Sequence, residues 1–83
     1  IMTMEYVDLK RGMTVEEAIL EIDRFLDNAV MAGLERVTLI HGKGTGALRK
    51  AVHASLRRNK AVKSFRLGNY GEGESGVTVV ELK

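Results

Sequence analysis

Apolar and polar positions follow two rhythms along the chain. Glu5 to Leu9 alternates, with Tyr6, Val7 and Leu9 suited to a strand, and Arg11–Gly12 breaks it. From Thr14 the spacing lengthens. Val15, Ala18, Ile19, Ile22, Leu26 and Ala29 recur every three or four residues with Phe25 beside them, which predicts a helix with one apolar face. Thr14-Val15-Glu16-Glu17 has the form of a capping box, in which the Thr14 hydroxyl accepts from the Glu17 amide and the Glu17 carboxylate reaches back. Gly33 suits the C-terminal stop. Arg36 to Ile40 is a short β-branched strand that runs through His41 into Gly42-Lys43-Gly44-Thr45-Gly46. Ala47 to Arg58 predicts a second helix, with Leu48, Ala51, Val52 and Leu56 inward. Val62 to Leu67 and Val77 to Leu82 read as strands on either side of a Gly-rich loop, Asn69 to Gly76.

The resulting order, β-α-β-α-β-β, predicts the α/β class: a two-layer sandwich with a mixed four-stranded sheet and two helices on one face. Its 83 residues suffice for one domain, and Ile at position 1 suggests a piece of a longer protein. The absence of cysteine excludes a disulfide framework, a thiolate-bound metal and a thiol nucleophile. No apolar run approaches the roughly 18 residues of a membrane span, and the N-terminus lacks the layout of a signal peptide. The expectation is a cytoplasmic location with no membrane partner.

A net charge of +2 conceals a strong asymmetry. Residues 12–35 carry six acids against Arg24, net −5. Residues 36–66 carry nine bases and no acid, net +9. The natural partner of such a stretch is a polyanion.

The strand-to-helix turn His41-Gly42-Lys43-Gly44-Thr45-Gly46 lies inside that basic stretch. Glycines admit positive φ and close approach of a ligand. Amides at a helix start, with the dipole, favour an anion. Lys43 adds a charge and Thr45 a hydroxyl. The spacing matches neither the nucleotide-binding P-loop nor the dinucleotide fingerprint, which disfavours a nucleotide triphosphate. The structural alternative is a tight turn and nothing more.

His41, at the C-terminal end of a strand, is a candidate general acid or base. Its alternative is a loop-bracing histidine. Asp8, near the end of the first strand, would meet His41 if the two strands are neighbours, or would brace its own turn. Arg49, Lys50, Arg57 and Arg58 on the second helix suit phosphates, or are a solvated face. His53 reads as a surface residue of that basic face. Phe25 and Phe65 look like core, which leaves Tyr70 as the plausible stacking residue for a base.

Several blocks in order resemble the Smr (small MutS-related) domain, most closely the form found at the C-terminus of MutS2 proteins. They are Val7-Asp8-Leu9 with Gly12-Met13, Val15-Glu16-Glu17-Ala18, Ile40 to Gly46 with Leu48-Arg49, Val62 to Arg66, and Gly71-Glu72-Gly73 leading to Gly76–Leu82. The resemblance implies a two-layer fold like the C-terminal domain of a translation initiation factor, nucleic-acid binding and, in many members, endonuclease cleavage. In MutS2 proteins the domain trails a dimeric ATPase body, so ATP and the homodimer belong to the parent protein. Such proteins are linked to suppression of recombination on branched DNA and to rescue of collided ribosomes. Many Smr domains carry a histidine after the first strand; here Lys10-Arg11 follows Leu9. A cation there can hold phosphate but cannot accept a proton.

Two functions are therefore expected. The first is an endonuclease that nicks DNA with little sequence preference. His41 would be the acid or base and Asp8 would orient it. Lys10, Arg11, Lys43, Gly44, Thr45, Gly46, Arg49, Lys50 and Arg57 would hold phosphate. No tightly bound cofactor is expected, while Mg²⁺ or Mn²⁺ could assist cleavage. The second is a non-catalytic module for DNA (branched or duplex) or ribosomal RNA. A protein-interaction role for the acidic first helix is the weaker third reading, and the isolated domain is expected to be monomeric.

Overall fold

The structure, a computed structural model, describes residues 6–9, 13–42, 46–69, 71 and 76–83. Its elements are β1 (Tyr6–Asp8), α1 (Val15–Met31), β2 (Arg36–Ile40), α2 (Ala47–Arg58), β3 (Val62–Leu67) and β4 (Val77–Leu82). They form the expected α/β sandwich, with sheet order β1-β2-β4-β3. β1 runs parallel to β2, and β4 is antiparallel to both β2 and β3. The last strand thus enters between two strands already linked by the α2 crossover.

That position explains the composition of β4. β4 has a strand on each edge, and Val77, Thr78, Val79 and Val80 are all buried. β3, at the edge, is mostly exposed. Register assigns the faces: Leu39 pairs with Thr78, which pairs with Leu67, and Val37 pairs with Val80, which pairs with Phe65. These positions face the helices. Ala18, Ile22, Leu26 and Ala29 of α1 join Val52 and Leu56 of α2, and Val37, Leu39, Val80 and Leu82 of the sheet, in one core. Phe25 and Phe65 pack at its margin, as expected.

α1 is closed by its own sequence at both ends. The Glu17 amide donates to Thr14 Oγ1 at 3.1 Å and the Thr14 amide to Glu17 Oε1 at 2.8 Å. At the other end the Leu34 amide donates to the Ala29 carbonyl and Gly33 to Val30. That double bond needs the left-handed conformation Gly33 adopts, φ +78°. Val15, counted on the apolar face, is exposed at the first position of the helix. Among the described residues no helix is long and apolar enough to cross a membrane.

Candidate functional site

β2 ends beside β4, and this junction builds the site. The amides of His41 and Gly42 both donate to the Gly76 carbonyl, at 3.1 and 2.9 Å. Gly42 takes φ +78° and turns the chain away from the sheet. α2 then starts on Gly46, φ +89°, which has no side chain to cap the first turn. The Arg49 side chain folds back over it: a Cβ on Gly46 would stand 3.0 Å from Arg49 Nη2.

His41 is buried, at 9% exposure. Its Nδ1 lies 2.9 Å from the Gly42 carbonyl and its Nε2 lies 2.8 Å from Thr78 Oγ1. Thr78 Oγ1 is also 2.8 Å from Nε2 of His53. Partner chemistry fixes the hydrogens. A carbonyl only accepts, so His41 Nδ1 carries the proton. A neutral His41 then accepts at Nε2 from the Thr78 hydroxyl, and that hydroxyl accepts from His53 Nε2–H. The two rings meet edge to face, with centroids 6.2 Å apart. His53 also packs on Phe65 at 4.9 Å, and the Arg57 guanidinium lies 5.8 Å above the same ring.

Burial, the largest cause, lowers the pKa of both histidines below the ordinary 6.5. On His41 the Gly42 bond opposes this and the Arg49 charge adds to it. On His53 the charges of His41, Arg57 and Arg49 add to it. Both rings are therefore neutral at pH 7, and the arginines beside them keep the surroundings attractive to an anion.

His53 is the residue that the sequence reading misplaced. It was expected on the exposed basic face, yet it is half-buried and points at the sheet. It borders Val52, Ser55 and Leu56, the buried stripe of α2, and that stripe was the available signal. Thr78 was missed as well; its signal is a lone hydroxyl within Val77–Val80.

The other candidates divide. Gly46 and Arg49 stand beside His41, Arg57 is drawn in through Phe65, and Lys50 is exposed. Arg58 leaves the group: with Lys60 it lines a groove opposite Asp23 and Asp27 of α1. The backbone of Asp8 pairs with Ile40, one residue before His41, so β1 and β2 are neighbours as the Asp8 proposal requires. The Asp8 side chain, and Lys10, Arg11, Lys43, Gly44, Thr45 and Tyr70, lie outside the described residues. Among the described residues no three His, Asp or Glu side chains converge as metal ligands would.

A two-layer β-α-β-α-β-β fold with a histidine and arginines at a glycine-rich strand-to-helix turn defines a class of small α/β domains with a basic edge. The comparisons narrow this class. The Smr domain profile matches residues 7–83, and the chain belongs to the Smr domain family. It is 66% identical over 73 residues to Endonuclease MutS2 of Caldicellulosiruptor bescii, covering 88% of this chain and 9% of that protein. It is 64% identical over 77 residues to Endonuclease MutS2 of Clostridium novyi, covering 93% and 10%. The chain thus spans about a tenth of the length of these relatives. The crystal structure of the Smr domain of Thermus thermophilus MutS2 superposes with a TM-score of 0.91 at 54% identity, over 95% of this chain and 98% of that one. YdaL of Escherichia coli, a stand-alone small MutS-related protein, superposes at 0.80 with 27% identity, over 95% and 64%.

Proposed function

We propose that this domain binds the phosphate backbone of DNA and nicks it, with His41 as the proton donor of the hydrolysis. The observation that supports this is the placement of His41 at the turn into α2, beside Arg49, with its Nδ1–H on the carbonyl of exposed Gly42. Of its two nitrogens, Nε2 is bonded to the fully buried Thr78, whereas Nδ1–H is bonded to the carbonyl of exposed Gly42. As water attacks the phosphorus and the P–O bond breaks, a substrate oxygen that has displaced this carbonyl receives the Nδ1 proton while Nε2 takes up another, and that oxygen departs as an alcohol. Arg49 and Arg57 hold the phosphate and stabilise its developing charge; Lys10, Arg11, Lys43 and Thr45 are proposed to extend that cradle, and Asp8 to orient His41 or the attacking water. Among the described residues no three His, Asp or Glu side chains group as ligands for Mg²⁺ or Mn²⁺. Within a parent protein resembling the MutS2 relatives, the substrate would be branched DNA or the RNA of a stalled ribosome.

The second reading is binding without cleavage. It is favoured by the internal bonds that occupy both nitrogens of His41, together with Arg11 where many Smr domains carry a histidine. Plasmid nicking by the 83-residue chain, with and without Mg²⁺ or Mn²⁺, separates the two. Cleavage is expected, and His41→Ala should lower it at least about 100-fold. An Asp8→Ala/His41→Ala preparation controls for contaminating nuclease. Equal rates for His41→Ala and the parent would remove His41 from the chemistry. Under either reading DNA affinity falls steeply with salt, and a flat response would refute the electrostatic basis of both.

A further inference from the structure

A neutral imidazole is a poor acid. If His41 gives up its Nδ1 proton, the ring becomes an anion unless Nε2 gains a proton in the same event. Nε2 faces away from solvent, against Thr78, which is fully buried. The proton must therefore come through the Thr78 hydroxyl, and the donor on its far side is His53 Nε2–H.

We infer that His53 is a positioning residue that feeds protons to His41 through the Thr78 hydroxyl, an inference that rests on the acid role proposed above. Three features of the geometry carry it. Both gaps in the chain are 2.8 Å, the length of a made hydrogen bond. The middle group is a hydroxyl, which accepts one proton as it releases another. The outer end is accessible: His53 is half-buried, and its Nδ1 has no hydrogen-bond partner among the described residues.

The transfer balances. Solvent places a proton on His53 Nδ1. The Nε2 proton of His53 passes to Thr78 Oγ1, the Thr78 hydrogen to His41 Nε2, and the His41 Nδ1 proton to the leaving oxygen. Both rings end neutral, in the opposite tautomers, and the hydroxyl points the other way. Reversal of the same chain, or ring exchange with solvent, restores the start. The charged groups acting on the pair are Arg49 and Arg57, both on α2 and both cations. Phe65 of β3 closes one side of His53 and holds the ring in line.

The phenyl contact and the register of β4 make the arrangement specific. Thr78 faces the helices because it pairs with Leu39, and a slip of one residue would turn it to the other face of the sheet. His53 stands on α2 near the middle of the helix, where packing of Val52 and Leu56 fixes its height over the sheet.

The test has one arm that needs no cleavage. Long-range ¹H–¹⁵N correlation spectra of the free 83-residue chain at pH 7.5 should give His41 as the Nδ1–H tautomer and His53 as the Nε2–H tautomer. In Thr78→Val, His41 should keep its tautomer through Gly42, while His53 relaxes to a mixture. In the second arm His53→Gln retains an N–H donor to Thr78 but cannot pass a proton. Its nicking rate should fall about 100-fold while DNA affinity stays within about twofold, and the pH dependence of the residual rate should flatten. Mixed tautomers in the parent, or a His53→Gln variant that nicks like the parent, would overturn the relay. If the parent does not nick at all, the cleavage reading falls. The hydrogen-bonded triad is then judged by the spectra, and the proton-feeding role falls with cleavage.

Discussion

The two helices lie side by side on the same sheet face yet differ at their N-termini, where the dipole is positive. α1 spends that end on itself. Thr14 and Glu17 cap each other's amides, and Glu16 and Glu17 answer the dipole with negative charge, which disfavours an anion there. α2 begins on a glycine in left-handed geometry, has no acid in its first turn, and carries Arg49 folded over its start. Inward, the helices do the same work: Ile22 and Leu26 from one, Val52 and Leu56 from the other, all essentially inaccessible. What separates the two helices is the treatment of one end, and the core is indifferent to it.

The largest expected effect tests that inner equivalence. Leu26→Ala and Leu56→Ala should each destabilise the domain by about 3 kcal/mol in urea unfolding, since each empties a fully buried leucine site. A much smaller cost for Leu56→Ala would mean that α2 is carried by the site and contributes little to the core.

The next pair tests the ends. Thr14→Ala should cost about 1 kcal/mol of stability and leave DNA affinity unchanged. Gly46→Asp places a carboxylate at the start of α2, where it would compete with phosphate for the dipole and for Arg49. It should weaken DNA binding about tenfold in a salt-matched titration, and also lower stability by about 1 kcal/mol, because Gly46 has φ +89° and a side chain there is strained. Equal effects on binding from both substitutions would erase the contrast.

The smallest effect is pH dependence. The unfolded chain takes up protons at its histidines near pH 6.5, whereas the folded chain does so only at lower pH. Between those values the unfolded state holds more protons, so stability is lost as pH falls below about 6.5 and is flat above it. The melting temperature should drop between pH 7 and 5.5, and less so in His41→Asn/His53→Gln. The double substitution isolates the histidines as the cause.

Much of this was legible in the residues. β2, α2, β3 and β4 span the predicted bounds, because each is framed by glycine, asparagine or a charge cluster and carries an unbroken rhythm. The capping box formed as its four-residue pattern required, since both partners are local. His41 was picked out by its glycine neighbours. His53 was misread because a polar residue beside basic ones looks like surface when only its own helix is considered. Its partner, Thr78, is 25 residues away. The split of the basic stretch was also hidden: Arg57 turns to Phe65 of β3, and Arg58 turns to the acidic side of α1.

Periodicity, caps and glycines by themselves determined the two-layer α/β class, the bounds of β2, α2, β3 and β4, the charge asymmetry and the turn that bears His41. These depend on interactions within a few residues, which a linear string displays. Only the tertiary structure decided that β4 enters between β2 and β3, and that insertion places Thr78 beneath α2. With it came the bond of His41 to Thr78, the recruitment of His53 and the neutrality of both rings. Long-range register and burial set those properties, and neither is present in the chain until it folds.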